Sequence, residues 1–302
     1  MATPLTADQL VTALRAEGVK VIEVPGWRTN NRNHVGKWGP VHGSMLHHTV
    51  TPKTMSAVGM CFDGISDLPG PLCHGVIRRN GEVHLVGHGR ANHAGGGDPD
   101  VLRAVIAEDY GIRPPTTNEH QGSAGAVDGN AHFYGWECEN LGDGKDPWPA
   151  VQVEAMVRVS AALSRAHKWT AKSTIGHLEW SDWKSDPNGP DNVVSMPGLR
   201  TCIAERLTHP ANWTPGTTPT PPAPKPPTET AVTLTNTDLQ HVALAVQGYR
   251  NPKADAASVA AGHGHIPDAY GYLVLTHGLV VKLTTLIERL DQRVAELERR
   301  AA

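Results

Sequence analysis

Long apolar runs are missing from this sequence. Nothing reaches the ~18 consecutive apolar residues that a membrane-crossing helix requires, so no membrane insertion is expected. A basic excess is missing as well: the net charge is −3 and the pI is near 6.6, which leaves no electrostatic footprint for nucleic acid. The four cysteines, Cys61, Cys73, Cys138 and Cys202, never adopt a CxxC spacing, which argues against a structural zinc knuckle. They fit a chain made in a reducing compartment, with a Cys61–Cys73 bridge left open. GxSxG does not occur, and the nearest approach, Gln121-Gly122-Ser123-Ala124-Gly125, starts with the wrong residue for a serine nucleophile elbow. The opening residues, MATPLTADQLVTALRAEGVKV, have the pattern of an amphipathic helix, not a charged region followed by an apolar one. No signal peptide is therefore expected, and reaching a substrate outside the membrane would need another agent.

Histidine is the residue in excess. Seventeen are present, most of them before residue 180, and some are expected to be ligands or acid/base groups. The apolar periodicity predicts helices over 6–17, 101–110 and 151–168, and strands over 19–24, 44–50, 133–139 and 173–176. Two further strands, 73–79 and 82–86, flank Asn80-Gly81, which signals a hairpin with a type I′ turn. Strands interleaved with helices imply an α/β or α+β sheet.

Composition changes sharply at Trp213. The stretch TPGTTPTPPAPKPPTET that follows cannot pack and favours extended polyproline II. At ~3.1 Å per residue it could hold two domains on the order of 50 Å apart. Beyond it, residues 236–249 and 278–300 read as helices. Leu279, Leu283, Leu286, Leu290 and Leu297 give the second an apolar stripe, suited to a small helical bundle or to self-association through 278–300.

The chemistry concentrates in STIGHLEWSDWKSDPNGPD, residues 173–191. This segment offers an imidazole (His177), an ammonium (Lys184) and a carboxylate (Asp186) in a Gly/Pro/Asn-punctuated run too irregular for a helix. An open metal site needs three ligands drawn from such side chains, and a third candidate lies upstream in His47-His48. Adjacent strand residues face opposite ways, so one of that pair faces inward, and alternation alone leaves open which. Glu137 and Glu139 share a strand face, as a catalytic carboxylate with a neighbour or as a solvated surface. His84, His88 and His93 form an alternative metal grouping, although Gly81, Gly87 and Gly89 argue against the helix it would need. His263-Gly264-His265 reads as a surface loop.

The runs LHHT (46–49), CHGVIRRNGEVHLV (73–86), RANHAGG (90–96), YGWECEN (134–140) and IGH…KSDP (175–187) follow the order found in zinc-dependent type-2 N-acetylmuramoyl-L-alanine amidases, a family that includes peptidoglycan-recognition proteins. The resemblance covers roughly residues 40–210. It implies an α/β fold with a mixed central sheet flanked by helices, and one Zn2+ held by His47, His177 and Asp186. By the same resemblance Glu137 acts as general base or water-orienting group. Lys184, held close by the tight loop, is expected to stabilise the tetrahedral oxyanion. His93 and Asn92 bind substrate, with Asn92 standing where an aromatic residue is usual, and His74 is structural or substrate-binding.

The domain organisation so implied is an N-terminal extension (1–39), a catalytic domain (40–212), a Pro/Thr-rich linker (213–230) and a helical C-terminal module (231–302) that would bind cell wall. The whole looks like an actinobacteriophage endolysin. Its expected partner is peptidoglycan, and it would wait in the host cytoplasm until a holin releases it to the wall. Alternatives are a cytoplasmic wall-recycling amidase, a non-catalytic peptidoglycan-recognition protein, or a glycosidase using Glu137 and Glu139.

Overall fold

The computed structural model describes residues 2–52, 54–189 and 194–214. The expectations for the Pro/Thr stretch after Thr214, the helices at 236–249 and 278–300, self-association and His263-Gly264-His265 lie outside the described residues. Met1–Trp213 forms one compact unit.

Helix α1 (Ala7–Ala16) starts at a reciprocal cap. Thr6 accepts from the Gln9 amide while the Gln9 side chain accepts from the Thr6 amide. Its apolar face, Leu10, Val11 and Leu14, is buried. The segment before residue 40 therefore contributes to the core, and it also supplies a strand to the sheet.

The strands of that sheet are β1 (Lys20–Glu23), β2 (Gly43–His48), β3 (Gly75–Ile77), β4 (Glu82–Leu85), β5 (Phe133–Cys138) and β6 (Thr174–Gly176). They are arranged β1-β4-β3-β5-β2-β6. Every neighbouring pair is parallel except the β3–β4 hairpin, so the sheet is mixed. The hairpin turn is not of the expected type. Gly81 alone among its residues has positive φ, at 79°, and the Gly81 amide donates to the Arg78 carbonyl. A type I′ turn needs positive φ at both central residues, whereas a tight turn followed by one left-handed glycine needs it once.

The remaining helices are α2 (Ala57–Asp63), α3 (Pro99–Ala107), α4 (Ala150–His167) and α5 (Met196–Leu207). Helices α1, α4 and α5 cover one sheet face, where Leu46, Tyr134 and Trp136 pack with Leu10, Met156, Leu163 and Ile203. Met45, Phe133 and Ile175 point the other way, onto Val101, Val105 and the buried Trp180. Because β2, β5 and β6 run parallel, their carboxyl ends lie along one edge of the sheet, where α/β folds place their ligands.

Charge is buried beneath α1. Glu17, with no exposed surface, accepts from Arg206 Nε at 2.5 Å and from Arg165 Nε at 2.8 Å. Removing one partner of a buried network leaves uncompensated charge, typically at a cost of about 3–5 kcal/mol. Glu17→Ala is expected to destabilise the unit by that amount, read as a fall in the denaturant midpoint with the slope unchanged.

Candidate metal centre and cleft

Strand register brings the site together. His47 on β2 lies opposite Glu137 on β5, and Leu46 lies opposite Gly176, the residue before His177. His47, Glu137 and His177 thus meet at the strand ends, and the alternation left open in the sequence resolves to His47. His48 points elsewhere, its ring held close to Gly142. The loop after β6 closes on itself when the Leu178 amide donates to the Asp186 carbonyl at 2.7 Å. Arg200 braces this turn with two bonds to the buried Glu179 carboxylate, at 2.7 and 2.8 Å, and Glu179 also accepts from the Gly176 amide.

Three ligand atoms converge as a result. His47 Nδ1 is 2.9 Å from His177 Nδ1, and each is 3.2 Å from Asp186 Oδ2. All three residues are buried, and they are the group able to hold a metal among the described residues. Neighbouring ligands on a tetrahedral zinc at about 2.0–2.1 Å would be about 3.3 Å apart, so the spacing fits.

Protonation states follow from fixed carbonyls. The Ala94 carbonyl can only accept, so His177 Nε2 carries its proton and Nδ1 presents a lone pair. The Phe133 carbonyl likewise fixes the proton of His93 on Nε2, leaving His93 Nδ1 to accept from His47 Nε2 at 3.1 Å. His47 Nδ1 is then also a lone pair. Two lone pairs and a carboxylate facing one another at these distances form a cation site. Burial, with His177 adding to it, brings His47 down to about 4 and keeps it neutral.

His93 thus orients a ligand, and the fold makes room for it. Its ring lies against β5 at Gly135, where a Cβ would sit 2.4 Å from the imidazole. Hydrogen-bond partners that orient ligating histidines are typically worth 10–100-fold in metal affinity. His93→Ala is expected to weaken zinc binding by that factor in a competition titration against a chromogenic chelator.

Glu137 stands beside this trio. Its Oε2 is shielded from water and has no hydrogen-bond partner. Burial, reinforced by Asp186 and opposed by Lys184, pushes the carboxyl up to about 8. Glu139 is occupied instead. It accepts from Arg78 Nε at 3.1 Å and from the Arg79 amide at 3.2 Å, and it lines a separate pocket with those arginines, not the cleft that His177 lines.

A cleft of about 660 Å³ opens beside the trio, lined in part by Asn92, His93, His177 and Lys184. His74 is not brought to it. It is fully buried, with one ring nitrogen on the Gly89 carbonyl, the other accepting from the Gly135 amide, and its ring stacked on Trp38. The alternative histidine grouping also separates: His88 bonds the Leu5 carbonyl at 3.0 Å, and His84 lies in β4 beside Glu82. Ser123 sits in a turn, donating to Glu119 and bonded to the His120 backbone. Cys61 and Cys73 are both buried free thiols.

No curated protein matches the chain. Among solved structures it is similar to the endolysin N-acetylmuramoyl-L-alanine amidase LysCS from Clostridium intestinale, at 18% identity over 56% of this chain and 88% of that one, with a TM-score of 0.30. An AmpD structure gives 17% identity over 61% and 94%, with a TM-score of 0.38. The amidase AmiD from E. coli, complexed with anhydro-N-acetylmuramic acid-L-Ala-D-gamma-Glu-L-Lys, gives 13% identity over 85% and 95%, with a TM-score of 0.37. A family profile matches residues 37–189, half of the sequence, and this span includes the converging trio, Glu137 and Lys184. The chain belongs to the N-acetylmuramoyl-L-alanine amidase family.

Proposed function

We propose that this protein is a zinc-dependent peptidoglycan amidase that hydrolyses the bond between the lactyl group of N-acetylmuramic acid and the first L-alanine of the stem peptide. The observation that carries this reading is the convergence of His47 Nδ1, His177 Nδ1 and Asp186 Oδ2 next to the unpaired oxygen of Glu137. Two imidazoles and a carboxylate suit zinc, which is typically open to a further ligand when three protein groups hold it. A divalent ion there supplies Lewis acidity and a positive charge that favours the ionised form of Glu137.

The residues divide the remaining work. Glu137 Oε2 removes a proton from the attacking water and returns it to the amide nitrogen as the C–N bond breaks. Lys184, at the rim of the cleft, offers its ammonium to the carbonyl oxygen as negative charge gathers there. The products are the lactyl carboxylate and a free alanine amino terminus.

The biological setting that fits is a phage endolysin held in the host cytoplasm until a holin opens the membrane. This rests on architecture, in which a Pro/Thr stretch joins the amidase to residues 231–302. Those residues would tether the enzyme to the wall and raise its effective concentration there.

Product analysis on purified cell walls tests the chemistry. New alanine amino termini should appear, vanish on chelation and return with zinc. New reducing sugar ends without alanine termini would reject the amidase reading. Removing residues 231–302 should reduce activity on whole walls and spare activity on soluble fragments; a recycling amidase would lose neither.

A further inference from the structure

Trp183 is the most exposed of the tryptophans in the described residues, at 67%, yet it is held firmly in place. Its ring stacks on His120 with centroids 3.5 Å apart and planes 14° from parallel. His120 Nδ1 bonds Asp182 Oδ1 at 2.9 Å, and the Asp182 amide donates to the Glu119 carbonyl at 3.2 Å. Two loops far apart in sequence are thereby cross-braced beneath one indole. Single exposed apolar residues need no explanation, but this one lines the same cleft as His177 and Lys184 and directly precedes Lys184 in the chain. One face of the ring is taken by His120, and the indole's exposed surface contributes to the cleft wall.

We propose that Trp183, backed by His120, is a stacking platform for a pyranose ring of the glycan, seating the sugar that carries the scissile amide. The inference rests on the amidase reading for the identity of that sugar. A pyranose presents a flat array of C–H bonds, whose partial positive charge meets the negative face of an indole. The aliphatic stem that leaves from the other side of the amide offers no such flat face. Asn92 and Gln121, which line the same cleft, are planar amides suited to hydroxyl and N-acetyl groups. A braced platform also pays little conformational entropy when the sugar docks.

The test titrates the full chain, as wild type, Trp183→Ala and Trp183→Phe, with peptide-free N-acetylglucosaminyl-N-acetylmuramic acid. Binding is followed by tryptophan fluorescence and by calorimetry. A saturable fluorescence change is expected in the wild type and not in Trp183→Ala, with affinity falling about tenfold and largely kept in Trp183→Phe. On a disaccharide-peptide, Trp183→Ala should raise KM about tenfold with kcat changed little. On a lactoyl-peptide lacking sugar, KM should not move. Equal disaccharide affinity in wild type and Trp183→Ala would overturn the platform. An equal KM rise on both substrates would also overturn it, by placing the peptide on Trp183. If no amide is cut, the amidase reading fails by itself, while the disaccharide titration still decides whether Trp183 binds sugar.

Discussion

Glu137→Gln is expected to lose about 10²–10⁴-fold in amide hydrolysis by the zinc-loaded protein, the usual worth of a positioned general base, and to stabilise the metal-free fold. The two effects have one cause. Burial lifts this carboxyl from 4.5 to about 8, so between those values the folded state binds a proton that the unfolded chain has released. The stability of the metal-free protein therefore falls as pH rises through that window, and the cost is complete above the folded value. At 1.36 kcal/mol per unit, and allowing for relaxation around the side chain, the penalty at pH 7 is about 1–3 kcal/mol. Glutamine keeps the shape and removes the titration. Denaturant unfolding of chelator-treated wild type and Glu137→Gln, compared at pH 5 and pH 8, should show the two converging at the lower pH and the variant ahead at the higher one. A variant with no stability gain at pH 8 would mean that Glu137 is solvated, and the base assignment would lose its physical support.

Much of this site could be read before the fold was known, because strand alternation and irregular loops are local properties. Alternation allowed one of His47 and His48 to face the site. What selects His47 is its register opposite Glu137 and beside the strand that ends in Gly176, a contact between segments far apart in sequence. Glu139 shared a face with Glu137 in the sequence pattern, but its neutralisation by Arg78 is a long-range pairing that no spacing encodes. The orienting role of His93 was likewise hidden. A glycine inside a strand signals close approach by another group, so Gly135 announced a visitor without naming it. Helix α5 was not predicted, although its start carried signals: Ser195 caps it and Pro197 lies in its first turn. Its weak amphipathic pattern reflects Arg200 and Arg206, which are buried through carboxylates supplied by distant segments. The hairpin at Asn80-Gly81 was foreseen and its turn type was not, since the dipeptide serves either a two-residue or a longer loop.

Metal removal should expose the other large effect. The trio holds two lone pairs and a carboxylate within 2.9–3.2 Å of one another, an arrangement whose repulsion a cation relieves. Binding to the folded state alone stabilises it by about 2.7 kcal/mol at a hundred times Kd and about 4.1 at a thousand times. Chelation is therefore expected to lower the unfolding temperature by several degrees and zinc to restore it, with the shift growing as free zinc increases. Asp186→Ala separates this linkage from mere chelator damage. Loss of that oxygen removes a charged ligand and leaves the two imidazoles facing each other, so the variant should lose the zinc-dependent shift. Amide hydrolysis should fall with it by about 10³-fold, corresponding to several kcal/mol of transition-state stabilisation. His47 is already neutral at pH 7, so zinc uptake by the wild type should release little proton from it, which calorimetry in buffers of different ionisation enthalpy would measure. An Asp186→Ala protein that still gained stability with zinc and still cut the amide would place the metal elsewhere and reject the assigned centre.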